Sequence, residues 1–218
     1  MPDVLHTLEV NLASVADDRS YGIRIGRGLI GDVTIWRAAT QGRGVVLVTD
    51  DQVGPLYGPT VKGALSDAAH ITEVVLPAGE ASKHLDSVQQ ILDAALADRH
   101  ERHSLFIALG GGVVGDMTGF AAACFLRGAD FIQVPTTLLA QVDSSVGGKT
   151  GVNHKLGKNL IGAFHQPKQV LIDLDTLASL PEREFSAGLA EVVKYGLIRD
   201  AEFFNWLIEN VAALKDRD

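Results

Sequence analysis

The sequence predicts an α/β domain followed by the first helices of an all-α domain. Three observations carry this. Apolar runs of strand length recur through residues 1–179, separated by amphipathic stretches of helical period. Several of the runs end on glycine, acidic or hydroxyl residues, and open α/β sheets bind ligands at the carboxyl ends of their strands. From Pro181 onward the pattern is helical only.

Taken in order, His6 to Leu12 and Tyr21 to Ile25 alternate in the strand manner about a turn at Ala16-Asp17-Asp18-Arg19, which reads as an antiparallel hairpin. Gly26-Arg27-Gly28 leads into a helix that ends before Gly42-Arg43-Gly44. Val45 to Thr49 is a buried strand with Asp50 at its tip. Pro59 to Ala69 reads as a helix, and Ile71 to Leu76 as a strand delivering Pro77-Ala78-Gly79-Glu80-Ala81-Ser82-Lys83. Ser82 is the expected N-cap of a helix running to about Arg99, with Leu85, Val88, Leu92, Ala95 and Leu96 on its apolar face. Glu80 and Lys83 are either an exposed ion pair at that helix start, the commoner fate of such residues, or ligand contacts at a strand end. His100 and His103 stand at what reads as an exposed helix end, where solvated imidazoles are favoured over a metal site.

Leu105 to Leu109 then runs without a break into Gly110-Gly111-Gly112-Val113-Val114-Gly115-Asp116, and Met117 to Leu126 reads as a helix. Glycines between a strand and a helix N-terminus bare the backbone toward an anion. The spacing Gly110-x-Gly112-x-x-Gly115 satisfies the dinucleotide fingerprint. The acid that fingerprint expects about twenty residues on is missing, because the strand Phe131 to Val134 ends in Pro135-Thr136-Thr137. Asp50 is the substitute acid. A nucleotide site in a Rossmann-like sheet of unusual strand order follows, the alternative being a plain strand-to-helix turn. Cys124 has no partner for a disulfide or a Cys-x-x-Cys site and is expected to be a buried small hydrophobe.

Gln141 to Pro167 shows neither helical nor strand period and reads as a long functional loop. Val170 to Leu174 is a further strand, followed by the loop Thr176-Leu177-Ala178-Ser179. Leu180-Pro181 marks the change of domain, giving 1–179 and 180–218, with helices from Pro181 to about Ile198 and from Ala201 to Leu214. Glu191 and Lys194 share a face of the first of these; spacing alone makes them an ordinary surface ion pair.

With 46% hydrophobic residues the chain can bury a sizeable core, and a net charge of -8 argues against a general nucleic-acid surface. Between Arg127 and Lys168, however, five basic residues (Arg127, Lys149, Lys155, Lys158, Lys168) face two acids (Asp130, Asp143). Such a pocket on an acidic body suits a small anionic substrate, unless these are merely solvated loop lysines. No apolar run reaches membrane-spanning length, and the first residues have neither the basic lead nor the apolar core of a signal peptide, so a cytoplasmic location is expected.

Four motifs in order resemble the 3-dehydroquinate synthase family: Gly110 to Asp116, Val134-Pro135-Thr136-Thr137-Leu138-Leu139, the run Gln141 to Pro167, and Ala190-Glu191-Val192-Val193-Lys194-Tyr195-Gly196. That resemblance implies conversion of 3-deoxy-arabino-heptulosonate 7-phosphate, an anionic sugar acid phosphate, into 3-dehydroquinate and phosphate, with NAD and zinc or cobalt. It implies an NAD site from Asp50, Gly79, Glu80, Lys83, Gly112, Val113, Val114, Gly115, Asp116, Thr136, Thr137 and the stretch Thr176, Leu177, Ala178 and Ser179. Arg127, Asp143, Lys149, Asn159 and Lys194 are the implied substrate set, Lys149 and Lys158 lie near both ligands, and Glu191 is a metal ligand. Arg127 is implied to reach across a homodimer interface. Two metal histidines of the family belong to a helical region beyond Asp218, so the 218-residue chain is expected to be inactive alone. Another sugar phosphate cyclase, an NAD- and metal-dependent polyol dehydrogenase and a non-catalytic NAD-binding protein are the alternatives; the run Asp143 to Asn153 favours the synthase.

Overall fold

The computed structural model describes residues 3–12 and 19–217. In chain order the elements are β1 (Asp3–Val10), β2 (Tyr21–Arg27), α1 (Val33–Thr40), β3 (Gly44–Asp50), α2 (Gly54–Ala64), β4 (His70–Leu76), α3 (Leu85–Ala97), β5 (Leu105–Gly110) and α4 (Gly112–Cys124). There follow β6 (Asp130–Pro135), β7 (Lys149–His154), β8 (Gly157–Phe164), β9 (Gln169–Asp173), α5 (Glu182–Arg199), α6 (Ala201–Glu209) and α7 (Val211–Asp216). Seven strands form one sheet in the order β1-β2-β9-β6-β5-β3-β4, and β7 pairs with β8 alone. β1 is antiparallel to β2, while every other neighbour in the large sheet is parallel.

Parallel strands covered on both faces read as unbroken apolar runs, as Val45 to Val48 and Leu105 to Leu109 do, all of them buried. Alternate side chains point to opposite faces. Val46, Val48, Phe106 and Ala108 therefore pack with α3 and α4, and Val45, Leu47, Leu105 and Ile107 with α1 and α2. This is the expected Rossmann-like α/β architecture, and from Glu182 onward it gives way to helices.

Several expectations need correction. α2 begins at Gly54 because Gly54-Pro55 supplies an earlier start, and Pro59 lies inside the helix, which forgoes one backbone bond there. α3 is capped by His84, whose Nδ1 accepts from the Ser87 amide at 3.3 Å; Ser82 is buried in the preceding turn. Its inward face is Ser87, Val88, Ile91 and Ala95, while Leu85 and Leu96 are exposed. α4 starts at Gly112, so two of the fingerprint glycines are helical rather than part of a turn. Cys124 is exposed, because Ala121, Ala122 and Phe125 take the inward positions of that turn.

The supposed loop 141–167 is a short π-helical turn, Ala140–Ser144, followed by the β7–β8 hairpin. Gly151 opposes Gly162 and Thr150 opposes Ala163, so small residues replace the apolar alternation that usually betrays a hairpin. Val152 and Ile161 fasten it to the core beside α4. The segment Thr176 to Ser179 is part of a 3-10 helix, and the last predicted helix is two, α6 and α7, divided at Asn210. The Asn210 side chain donates to the Trp206 carbonyl at 2.8 Å, competing with the helical ladder. Of the predicted hairpin turn at 16–19, residues 16–18 lie outside the described residues. No helix of the described residues is long and apolar enough to cross a membrane.

Candidate functional site

The chain passes from β3 outward to β4 and then back across β3 to β5, so strand order reverses between β3 and β5. Ligands in open α/β sheets bind in the crevice beyond such a reversal. Asp50 ends β3 and Gly110 ends β5, side by side in parallel register. Asp50 is buried, and its Oδ1 accepts from the amides of Gln52 and Val53 at 3.0 and 2.8 Å. Beside it no side chain caps α4, and the first backbone bond into that helix runs from the Gly115 amide to the Gly111 carbonyl, 3.0 Å. The amides that precede have no intrahelical acceptor and present partial positive charge.

Around this helix start, buried hydroxyls lack partners. Thr136 Oγ1 and Ser144 Oγ are both buried without a hydrogen bond. Bare backbone is required close by: a Cβ on Gly112 would stand 2.6 Å from Ser144 Oγ, and one on Gly115 would stand 2.7 Å from Gln133 Oε1 on β6. Gly115 is thus explained by helix-to-strand packing, whereas Gly112 opens toward the hydroxyls. Val113 is partly buried and Val114 fully, both against the core. Thr137 Oγ1 accepts from the Ala140 amide at 3.2 Å and shapes the turn after β6.

Lys83 is the hub of the polar network. It is buried, and its Nζ donates to Asp116 Oδ2 at 2.5 Å and to Asn159 Oδ1 at 2.6 Å. The Glu80–Lys83 surface pair is therefore not formed. Glu80 instead accepts from Asn153 Nδ2 at 2.8 Å and lies 3.6 Å from Lys158 Nζ, and Gly79 introduces this turn with φ 98°. Burial pushes the Asp116 carboxyl above the ordinary carboxylate range, while hydrogen bonding and charge from Lys83 pull it back. The Asn153 amide bonds the Lys83 carbonyl at 2.8 Å, and Asn153 Oδ1 takes the Asn159 amide at 2.9 Å. The hairpin is thereby tied to the turn after β4.

Asp116, Asp143, Lys149 and Asn159 share the wall of one cleft of about 700 Å³, together with Ser144 and Gly148. Next to it, Tyr195 Oη on α5 donates toward Asp143 Oδ1 and the Val142 carbonyl, each at 3.2 Å. Burial, then the Asp143 carboxylate, raises the Tyr195 phenol above its ordinary value. Lys194 is in close contact with the Glu191 carboxylate, and that hydrogen bond raises the pKa of its ammonium. Arg127, Thr176, Leu177, Ala178 and Ser179 do not line the cleft. Arg127 is exposed, with φ 70°. Thr176 is buried and bonded to Gln141 Nε2 at 3.1 Å, Ser179 Oγ is 2.5 Å from Tyr57 Oη, and the Leu177 and Ala178 carbonyls receive Arg217. Sequence reasoning gave no role to Tyr195, Ser144 or Asn153. The first lies beside Lys194 in its motif, but nothing in the sequence reveals the turn that brings Asp143 to it.

A sheet reversing beside a glycine-headed helix, with a polar hairpin folded over it, places the protein in the Rossmann-like α/β class. Residues 73–187 match the family described as 3-dehydroquinate synthase N-terminal, and the chain belongs to the 3-dehydroquinate synthase family. It is 57% identical over 215 residues to the 3-dehydroquinate synthase of Azotobacter vinelandii, a match that takes in 98% of this chain and 57% of that enzyme. It thus spans little more than half the length of that relative. Among solved structures it resembles 2-epi-5-epi-valiolone synthase from Streptomyces hygroscopicus subsp. jinggangensis with NAD+ and Zn2+ bound, at 32% identity and TM-score 0.84, covering 94% of this chain and 57% of that one. It also resembles 2-deoxy-scyllo-inosose synthase complexed with carbaglucose-6-phosphate, NAD+ and Co2+, at 29% identity and TM-score 0.81, covering 88% and 52% of the two chains.

Proposed function

We propose that this protein takes part in the 3-dehydroquinate synthase reaction, converting 3-deoxy-arabino-heptulosonate 7-phosphate to 3-dehydroquinate and phosphate, as a cytoplasmic homodimer. The observation that carries this reading is the convergence of Asp116, Asp143, Lys149 and Asn159 on one cleft beside the α4 N-terminus. The unpartnered hydroxyls of Thr136 and Ser144 and the Cβ-free approach at Gly112 fit the diphosphate of NAD. NAD held there would supply a reversible hydride acceptor, which is compatible with a reaction of no net redox change.

The chain's own residues hold and orient. Asp50 offers its second carboxylate oxygen to a ribose, and Glu80, Lys83, Asp116 and Lys158 border the cofactor. Lys149 meets the phosphate or carboxylate of the substrate as a mobile point charge, Arg127 serves an oxyanion in the partner subunit's site, and Lys194 and Asn159 hold substrate oxygens. Tyr195 orients Asp143 through its hydroxyl.

Glu191 is assigned as one ligand of a divalent metal of the kind the two synthases carry. Among the described residues it belongs to no group of three or more His, Cys, Asp or Glu donors. These residues alone do not fit a catalytic ion, which needs about three protein ligands. The 218-residue chain is therefore proposed to bind NAD without turnover.

Calorimetry on the chain tests this. NAD should bind, and the NAD-loaded chain should prefer the heptulosonate phosphate to heptulose 7-phosphate, which lacks the carboxylate. Absence of NAD binding would remove the cofactor assignment. Equal affinity for the two sugars would remove the substrate assignment, and phosphate release would show the inactivity proposal wrong.

A further inference from the structure

We propose that His70, Asp98 and His100 form a binding site for a zinc-like divalent cation at the amino-terminal edge of the sheet. Among the described residues they are the group of His, Cys, Asp and Glu side chains whose donor atoms all fall within 4.8 Å of one another. They come from separate places in the fold. His70 opens β4, Asp98 closes α3, and the His100 amide bonds the Ala95 carbonyl at 2.9 Å. The sequence pairing of His100 with His103 was misleading: His100 is buried and turns toward His70, leaving His103 outside with Glu101.

Several features prepare the site. The imidazoles of His70 and His100 lie with ring centroids 4.3 Å apart over Gly44, where a Cβ would stand 2.7 Å from each ring. In addition, Thr72 Oγ1 sits between the ligands, bonded to Asp98 Oδ2 and 2.7 Å from His100 Nε2. The far side of His100 is held as well, with Nδ1 3.1 Å from Ser104 Oγ, which accepts from the Glu101 amide at 3.0 Å. Metal-binding histidines donate their other ring N–H to such a partner. The Ser104 hydroxyl can give its proton to Nδ1 in the free protein, or accept from Nδ1–H once Nε2 holds a cation. Burial, then His70, keeps His100 below its ordinary pKa against the pull of Asp98, which favours the neutral ring a metal requires.

Two imidazoles and a carboxylate, with the Thr72 hydroxyl or water completing the shell, suit zinc or cobalt. The cation would join the start of β4 to the last turn of α3. Since β3 runs from Gly44 to Asp50, the site stands about 20 Å from the proposed cofactor cleft, so it is independent of that cleft and of Glu191.

The test is Zn2+ titration of the chelator-treated 218-residue chain against a chromophoric chelator, with melting temperature read in parallel. One equivalent should bind and raise the melting temperature, and Glu191→Gln should bind it equally well. His70→Ala and Asp98→Asn, both at exposed positions, should each weaken binding by at least about tenfold and abolish the melting shift. Wild-type affinity in both of those variants, or no binding by the wild type, would overturn the proposal. Loss in Glu191→Gln alone would move the ion to the other end of the sheet.

Discussion

Helices α4 and α5 both border the proposed site, yet they are held in different ways. α4 buries seven of its thirteen residues, whereas α5 buries three of eighteen, namely Phe185, Gly188 and Gly196. Val193, Tyr195, Leu197 and Ile198 on α5 are exposed, as are Trp206 and Ile208 on α6. α4 is fixed by the sheet it covers. α5 is fixed at a few points: Gly188 against Leu138 and Leu139, Tyr195 against Val142 and Asp143, and Arg217 of the α7 end stacked 4.7 Å from the Phe185 ring. Local stability follows buried contact. The α4 side of the cleft is therefore rigid, and α5, which carries Glu191 and Lys194 outside the cleft wall, opens at lower free energy.

The largest effect is expected where α4 and the sheet share a core. Phe106 is fully buried on β5 with its ring 5.2 Å from that of Phe125. Phe106→Ala should cost about 3–5 kcal/mol in denaturant unfolding and lower protection across the sheet as a unit. A loss confined to β5 and α4 would mean that the sheet does not open as one cooperative body.

A smaller and more local effect is expected at Gly188→Ala. The new Cβ would stand 2.6 Å from Leu138 Cβ and 2.8 Å from the Leu139 amide nitrogen, and backbone cannot retreat like a side-chain tip. The cost should be about 1–3 kcal/mol, seen as faster hydrogen exchange in α5, α6 and α7 with the sheet amides unchanged. Equal acceleration in β3 and β5 would erase the contrast between the two helices.

The same contrast governs what could be read from the sequence. The strands of the parallel sheet were legible because burial on both faces writes itself as Val45 to Val48 and Leu105 to Leu109. The Asp50 tip could be matched to the glycines because both end such runs. The hairpin was not legible, since Gly151 opposite Gly162 leaves no period to detect. Lys83 looked like a surface residue because its partners, Asp116 and Asn159, are distant in sequence and meet only when the hairpin folds down. His100 misled for the same reason, its companion His70 being supplied by strand pairing around Gly44.

The smallest effect sharpens the account of the rigid half. Burial raises the pKa of Asp116 above its ordinary 3.8, and Lys83 opposes it. A carboxyl with a raised folded-state pKa contributes stability that is complete below 3.8 and is lost as pH rises through the folded value. Asp116→Asn cannot ionise, so its stability relative to wild type should improve as pH rises through that interval, in thermal melts taken at successive pH values. Lys83 keeps Asn159 Oδ1 as acceptor in the variant, which limits the cost of the exchange. If the variant instead loses ground as pH rises, the Lys83 ammonium outweighs burial, and the pair must be counted among the interactions that hold the cleft together at neutral pH.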